Sequence, residues 1–216
     1  MIFKNFQSRL LTSFFLSIVV FTIFISNFFL VYFLLILSLL SWLEFSNLIA
    51  RFIKIKIFKI FFNILFLIYL IIFCLLFFYF SKILVTKFLL FSILLGCIGS
   101  DIGGYIVGNF IKGPKLTKIS PKKTISGAIG SIVFSTSLVF ISIYYFLNYF
   151  SFNVILIGIL TSIACQSGDL FFSYLKRKSR VKDTGNFLPG HGGILDRLDG
   201  IFLGVPVGII LFLYLI

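Results

Sequence analysis

Charged residues are scarce in this chain, and acidic residues are scarcer still. Only 12% of the 216 residues are charged, and 6 acidic residues stand against 19 lysines and arginines. A soluble domain of average composition carries about 25% charged and about 45–50% apolar residues. With 60% hydrophobic residues and a mean hydropathy of +1.19, the composition excludes an ordinary water-soluble globule and a disordered chain. The sequence therefore predicts an integral membrane protein.

Cysteine and histidine are too few to build a site of their own. The three cysteines, Cys74, Cys97 and Cys165, lie far apart in apolar runs, without the short spacings of a metal site. They are interpreted as small, buried hydrophobic residues. His191 is the only histidine, and a lone histidine most often has a structural role.

Long apolar runs predict about seven transmembrane helices, because one span needs about 20 mostly apolar residues. The run from Leu10 to Leu43 is too long for one span. It is interrupted at Ser26 and Asn27, so it is interpreted as two short helices joined by a tight turn. The other spans are predicted at about Ile60–Phe80, Phe88–Val107, Ser126–Leu147, Asn153–Ser173 and Ile201–Ile216. The predicted fold class is all-α, a polytopic membrane helical bundle.

Positive charge is distributed unevenly between the predicted loops. With the N-terminus in the cytoplasm, every lysine and arginine except Lys82 and Lys87 falls on the inner side. The positive-inside rule therefore predicts a cytoplasmic N-terminus. Because the cations flank apolar runs, membrane topology explains the basic composition without nucleic acid as a partner.

Asp101 stands inside an otherwise apolar run, SILLGCIGSDIGGYIVGNF. A charged group at the centre of a membrane helix costs about 2.5–3.5 kcal/mol, so it is expected to face a cavity, a partner or an ion. Helical spacing places Asp101, Tyr105 and Gly108 on one stripe. Close helix packing explains the surrounding glycines as well as function does, but it does not explain the aspartate.

The following loop is rich in lysine and ends in a helix start. Its five lysines are Lys112, Lys115, Lys118, Lys122 and Lys123. Pro121, Thr124 and Ser126 mark the beginning of the next helix. A helix N-terminus beside lysines suits an anion such as phosphate. Contact with lipid headgroups explains the same lysines equally well, so both interpretations stay open here.

The last long polar segment concentrates carboxylates and cations. Gln166, Asp169 and Ser173 follow one another at helical steps, with Lys176 or Arg177 next on that face. The acids Asp196 and Asp199 then flank Arg197 at the start of the final span. Carboxylates beside cations suit Mg²⁺ held together with substrate phosphates. The alternative is a solvated loop with internal ion pairs.

The run from Ser173 to Asp199 resembles the signature of the bacterial phosphatidate cytidylyltransferase (CDP-diacylglycerol synthase) family. The shared positions are Ser173, Lys176, Arg177, Lys182, Asp183, Gly185, Pro189, Gly190, His191, Gly192, Gly193, Asp196, Arg197 and Asp199. Three upstream segments are also similar: Asp101-x-x-x-Tyr105-x-x-Gly108, Ser120-Pro121-x-Lys123-Thr124-x-x-Gly127-x-x-Gly130 and Gln166-x-Gly168-Asp169-Leu170. Trp42-x-Glu44 corresponds to an early acidic motif of the family.

The resemblance implies an enzyme of phospholipid biosynthesis. It would transfer the cytidylyl group of CTP to phosphatidic acid, releasing pyrophosphate and leaving CDP-diacylglycerol in the bilayer. The implied cofactor is Mg²⁺, with a second, monovalent cation and a homodimer both left open. The implied location is the inner membrane, with the active site facing the cytoplasm. Residues 1–87 would hold N-terminal helices and residues 88–216 the catalytic region of one membrane domain.

The resemblance also implies roles for individual residues. Asp169 and Asp196 are expected to hold the metal, with Asp101 and Asp199 as additional acids. Four cations are expected to bind the phosphates of CTP or lipid: Lys176, Arg177, Lys182 and Arg197. The opposite wall is expected to consist of Lys122, Lys123 and the helix start from Ser120 through Thr124 to Ser126. Ser173 is expected to bind substrate and His191 to orient a phosphate.

Two other functions are considered. A related cytidylyltransferase could act on another lipid phosphate, such as an isoprenoid-ether phosphate. A membrane anion transporter would instead use Asp101 and the lysines to line a path across the bilayer. That reading predicts acids at all membrane depths, whereas all the acids except Asp101 are predicted near the cytoplasmic helix ends.

Overall fold

The computed structural model describes Thr22, residues 24–185 and residues 192–215. Within these ranges the regular structure is entirely helical. In chain order the helices are α1 (Asn27–Phe52), α2 (Lys56–Ser81), α3 (Leu84–Ile111), α4 (Ile125–Leu147), α5 (Phe152–Lys178) and α6 (Leu195–Leu215). Each is long and apolar enough to cross a membrane. The prediction of an all-α, polytopic membrane protein is confirmed.

The described residues contain six such helices, not the seven that the apolar runs predicted. The six correspond to the second through the seventh predicted spans. The first predicted span lies mostly outside the described residues. The predicted interruption is present at Ser26, whose backbone is extended with φ −121° and ψ 120°, while the residues on either side of it are helical.

Several helices extend well beyond the apolar runs from which they were predicted. The helix expected to end near Leu43 continues to Phe52, and the last helix begins at Leu195 rather than Ile201. Similarly, α5 runs to Lys178 instead of Ser173. A hydropathy pattern locates the end of an apolar run, whereas the backbone hydrogen bonds of the helix continue into the polar sequence beyond that run. Charged residues near these ends, such as Glu44, Lys176 and Asp196, therefore lie on regular helices rather than in loops.

The chain divides into two compact units. The first takes its described residues from Met1–Lys82 and Lys178–Arg197, and the second takes them from Ile83–Arg177 and Leu198–Ile216. In the first unit α1 packs against α2, and the rings of Phe45 and Phe66 stack with centroids 4.1 Å apart. In the second unit the principal helix pair is α3 with α4.

Glycines allow α3 and α4 to pack at close range. A Cβ atom added at Gly103 would lie 2.5 Å from the carbonyl oxygen of Gly130. One added at Gly127 would lie 2.8 Å from the carbonyl oxygen of Gly104. Both distances are below ordinary van der Waals contact, so any larger residue would push the helices apart. The packing role predicted for the glycines around Asp101 is confirmed.

Candidate functional site

A cavity of about 370 Å³ with several charged and polar lining residues lies in the second unit. It is lined by α3, α4, α5 and the loop that joins α3 to α4. The lining includes eight polar residues singled out from the sequence: Asp101, Tyr105, Ser120, Lys122, Lys123, Thr124, Gln166 and Asp169. The structure thus brings together side chains from three segments of the chain, of which Asp101 and Asp169 are 68 positions apart.

The loop between α3 and α4 is held by backbone pairing. Lys115 and Thr124 form an antiparallel β-bridge. The hydroxyl of Thr124 then accepts a hydrogen bond from the N–H of Gly127 at 3.1 Å and caps α4. The helix start predicted at this position is confirmed. These contacts fix the backbone of the loop that carries Lys122 and Lys123.

Four charged side chains of the second unit are linked through successive contacts. Lys123 Nζ lies 2.8 Å from Asp169 Oδ2, and the carboxyl group of Asp169 interacts with that of Asp199. Lys176 Nζ in turn lies 3.9 Å from Asp199 Oδ2. Each carboxyl side chain is 16% exposed. Two neighbouring carboxyl groups are therefore shielded from solvent and flanked by two ammonium groups.

Glycines explain how α5 and α6 bring these carboxylates together. A Cβ atom added at Gly200 would lie 2.8 Å from Asp169 Oδ1. One added at Gly168 would collide with the backbone carbonyl of Asp199. Gly204 continues the stripe one turn later, against Cys97 and Cys165. Sequence reasoning missed this stripe, although its four-residue spacing is a recognisable signal of close helix contact in membranes.

Uncharged hydrogen bonds join the three helices around the cavity. Gln166 Nε2 donates to the carbonyl of Ala128 at 3.3 Å and to Ser162 Oγ at 3.2 Å. Ser131 Oγ donates to the carbonyl of Ser100 at 2.7 Å. Ser100 and Ser162 share a further bond of 3.0 Å. These hydrogen bonds give Ser100, Ser131, Ser162 and Gln166 partners within the apolar segments and join the helices that line the cavity.

A second polar cluster lies in the first unit, around the first turn of α6. Glu44 on α1 accepts hydrogen bonds from the hydroxyl of Thr184 and from two backbone N–H groups. Asp196 Oδ2 accepts from the N–H of Thr184 at 2.8 Å and from the N–H of Gly193 at 3.1 Å. Sequence reasoning missed Thr184 entirely. The early acidic motif was the only signal that pointed to Glu44.

The remaining predicted residues lie outside the 370 Å³ cavity or outside the described ranges. Ser173 and Arg177 follow Asp169 on α5, and Arg177 lines an open pocket of about 450 Å³. Lys182 is exposed between α5 and α6, and Arg197 stands in the first turn of α6. His191 falls outside the described residues, so its role stays a prediction.

The predicted metal ligands, Asp169 and Asp196, belong to different units, and their pairing stays a prediction. The described residues contain no group of three or more His, Cys, Asp and Glu side chains suited to a metal ion. In the second unit, the carboxyl neighbour of Asp169 is Asp199. Mg²⁺ in nucleotide sites is commonly held by one or two carboxylates together with substrate phosphates. The donor set of this pair fits that requirement.

Comparison with known proteins decides the family. The sequence profile of the Cytidylyltransferase family matches residues 4–215, almost the whole chain. The chain belongs to the cytidylyltransferase family. The resemblance drawn from the signature between Ser173 and Asp199 is thereby confirmed.

Several relatives of this cytidylyltransferase carry the name phosphatidate cytidylyltransferase. The protein from Rickettsia bellii (strain RML369-C) is 45% identical over 115 residues, which cover 50% of this chain and 50% of that protein. The one from Rickettsia felis (strain ATCC VR-1525 / URRWXCal2) is 46% identical over 116 residues, covering 50% and 51%. The one from Mycobacterium bovis (strain ATCC BAA-935 / AF2122/97) is 41% identical over 112 residues, covering 51% and 37%. The chain matches about half the length of the Rickettsia relatives.

Proposed function

We propose that this protein transfers the cytidylyl group of CTP to phosphatidic acid, giving CDP-diacylglycerol and pyrophosphate. The observation that carries the proposal is the contact of Lys123, Asp169 and Asp199 in a chain of the cytidylyltransferase family. The name of the relatives supports phosphatidate as the acceptor. The six apolar helices within the described part of the chain suit an acceptor that is confined to the bilayer.

The proposed reaction is a substitution at phosphorus. A phosphate oxygen of phosphatidic acid attacks the α-phosphorus of CTP, and a new P–O–P linkage forms. The bond from the α-phosphorus to the bridging oxygen of the β-phosphate breaks, and its electron pair leaves with pyrophosphate. The attacking phosphate is already anionic, so no strong general base is needed. The protein therefore contributes mainly positioning and charge neutralisation.

Lys122 and Lys123 are the groups best suited to bind the triphosphate, because both line the 370 Å³ cavity. Lys123 Nζ lies 2.8 Å from Asp169 Oδ2. An incoming phosphate would compete with that carboxylate for the ammonium group. The ammonium is thus oriented in advance, which reduces the entropy lost on binding.

Asp169 and Asp199 would hold Mg²⁺, with Asp196 still predicted as a ligand. When bound, the ion would supply further neutralisation of phosphate charge. Two carboxyl groups in contact repel each other when both are ionised. Lys123 and Lys176 relieve part of this repulsion in the protein alone, and a divalent cation would relieve more. A second, monovalent cation stays a prediction.

The proposed orientation places the N-terminus and the cavity on the cytoplasmic side of the inner membrane. The distribution of lysine and arginine supports it, since only Lys82 and Lys87 would face outward. CTP is a water-soluble polyanion of the cytoplasm and would reach Lys122 and Lys123 of the cavity from that side. The lipid substrate would arrive within the bilayer.

The test is a transfer assay with the purified full chain, Mg²⁺ and CTP labelled in the cytosine ring. Phosphatidic acid, an isoprenoid-ether phosphate and no lipid are compared as acceptors. We expect label in the lipid extract with phosphatidic acid and its loss when EDTA removes the metal. Transfer only to the isoprenoid-ether phosphate would overturn the choice of acceptor. Absence of transfer, with phosphate flux into vesicles that contain the protein, would support a transporter instead.

A further inference from the structure

Glu44 is a buried carboxylate that has no role in the reaction proposed above. It lies on α1 and is only 5% exposed. Its oxygens accept hydrogen bonds from Thr184 Oγ1 at 2.6 Å, from the N–H of Ile194 at 3.0 Å and from the N–H of Leu195 at 2.9 Å. Burying a carboxylate is costly unless donors of this kind surround it. The site is therefore built for a negative group at this position.

The two backbone donors belong to the beginning of α6. The first N–H groups of a helix have no partner within the helix and carry the positive end of its dipole. Glu44 supplies the missing acceptor from a position 150 residues earlier in the chain. It thus caps α6 from another helix. The N–H groups of Ile194 and Leu195 are consequently occupied and are not available to bind phosphate.

Two glycines of the signature lie directly against this carboxylate. A Cβ atom added at Gly185 would lie 2.6 Å from Glu44 Oε1. One added at Gly193 would collide with Glu44 Oε2 and with the hydroxyl of Thr184. A side chain at either position would displace the carboxylate. Close approach to Glu44 explains the absence of side chains here without invoking a ligand.

Thr184 connects Glu44 to Asp196. Its hydroxyl lies 2.6 Å from Glu44 Oε2 and 3.1 Å from Asp196 Oδ2, and its N–H donates to Asp196 Oδ2 at 2.8 Å. A hydroxyl has one proton, and the shorter distance favours Glu44 as its acceptor. The backbone N–H groups of Thr184 and Gly193 then hold Asp196. Loss of Glu44 would release Thr184 and, through it, the carboxylate of Asp196.

We propose that Glu44 is a positioning residue for cytidylyl transfer. It fixes the first turn of α6 and, through Thr184, the orientation of the Asp196 carboxylate. This inference rests on the function proposed above, in which Asp196 is a predicted metal ligand. The role proposed for Glu44 is to hold these groups in place, since it accepts hydrogen bonds from Thr184 Oγ1 and from the N–H groups of Ile194 and Leu195.

The first experiment compares Glu44→Gln with Asn47→Ala in the transfer assay. Glutamine keeps the size of the side chain but directs an NH₂ group at positions where only acceptors fit. We expect kcat to fall about tenfold or more, because small displacements of reacting groups are costly. KM for CTP should stay nearly constant. Asn47 is exposed on the same helix, so its variant should match the wild type. A wild-type kcat in Glu44→Gln would overturn the inference.

A second pair of variants covers the case in which Glu44→Gln fails to fold. Thr184→Ser keeps the hydroxyl, whereas Thr184→Val keeps the shape and removes it. We expect the serine variant to retain several-fold more kcat than the valine variant. Equal kcat in the two variants would contradict a role for the hydroxyl that joins Glu44 to Asp196.

Amide hydrogen exchange separates this inference from the proposed function. Glu44→Gln should accelerate exchange in peptides that contain Gly193, Ile194 and Leu195, and Asn47→Ala should not. Unchanged exchange would refute the cap even if the wild type is an active transferase. Faster exchange in a protein whose wild type forms no CDP-diacylglycerol would refute the proposed function and leave the cap in place.

Discussion

Replacing Asp169 with asparagine tests the charged cluster most directly. The substitution removes one negative charge and leaves the size of the side chain unchanged. Lys123 Nζ loses an ionic partner at 2.8 Å, and Asp199 loses its carboxyl neighbour. The change therefore alters the charge of the cluster while its packing is preserved.

The expected magnitude follows from the exposure of these groups. The side chains of Lys123 and Asp169 are 30% and 16% exposed, so their ion pair stabilises the fold by no more than about 1 kcal/mol. Relief of the repulsion between the two carboxyl groups offsets part of that loss. Removing one preorganised electrostatic group from an active site, in contrast, lowers kcat by about 10²–10³. We expect a large loss of rate in a protein that folds normally.

Initial rates of label transfer at varied CTP concentration measure this effect. KM for CTP should change little, because Lys123 loses the carboxylate that competes with phosphate and, with it, the contact that orients the ammonium group. Ser167→Ala is the matched control, since Ser167 is exposed on α5 and its hydroxyl donates to the carbonyl of Ile163 in the same helix at 2.7 Å. Wild-type kcat in Asp169→Asn would refute its part in the reaction. A raised KM with unchanged kcat would make it a binding group only.

Four further substitutions test other parts of the structure. Lys123→Ala should raise KM for CTP about tenfold in the same assay, and an unchanged KM would exclude it from the triphosphate site. Asp196→Asn should abolish turnover while membrane insertion, followed by fractionation, stays intact; retained turnover would exclude a role as metal ligand. Gly200→Ala places a Cβ atom 2.5 Å from Cys165 Sγ and should cost about 1–3 kcal/mol, which a lower melting temperature in detergent would reveal. Lys82→Ala should change kcat/KM little, because this ammonium group is exposed and lies over the Phe78 ring, 4.9 Å from its centroid; a severe loss would contradict the predicted topology.

Local composition was sufficient to predict the helices but not their ends. Apolar runs located all six helices of the described residues, because a membrane helix must bury about 20 apolar residues in the hydrocarbon core. The polar residues by which these helices extend beyond the apolar runs could not be predicted from hydropathy. The backbone hydrogen bonds of α6 begin at Leu195, six residues before the apolar run at Ile201. Its first turn is instead stabilised by Glu44, from a distant part of the chain.

The sequence by itself determined that this is a polytopic membrane protein and, through its signature, a cytidylyltransferase. Those properties depend on composition and on residues close together in the chain. Only the tertiary structure decided that Lys123 pairs with Asp169, 46 positions away, and that Asp199 is the carboxyl neighbour of Asp169 in its unit. Such contacts depend on the distance between neighbouring helices. Glycines such as Gly200 allow a short distance because they have no side chain, and the charges of the residues that meet there do not determine it.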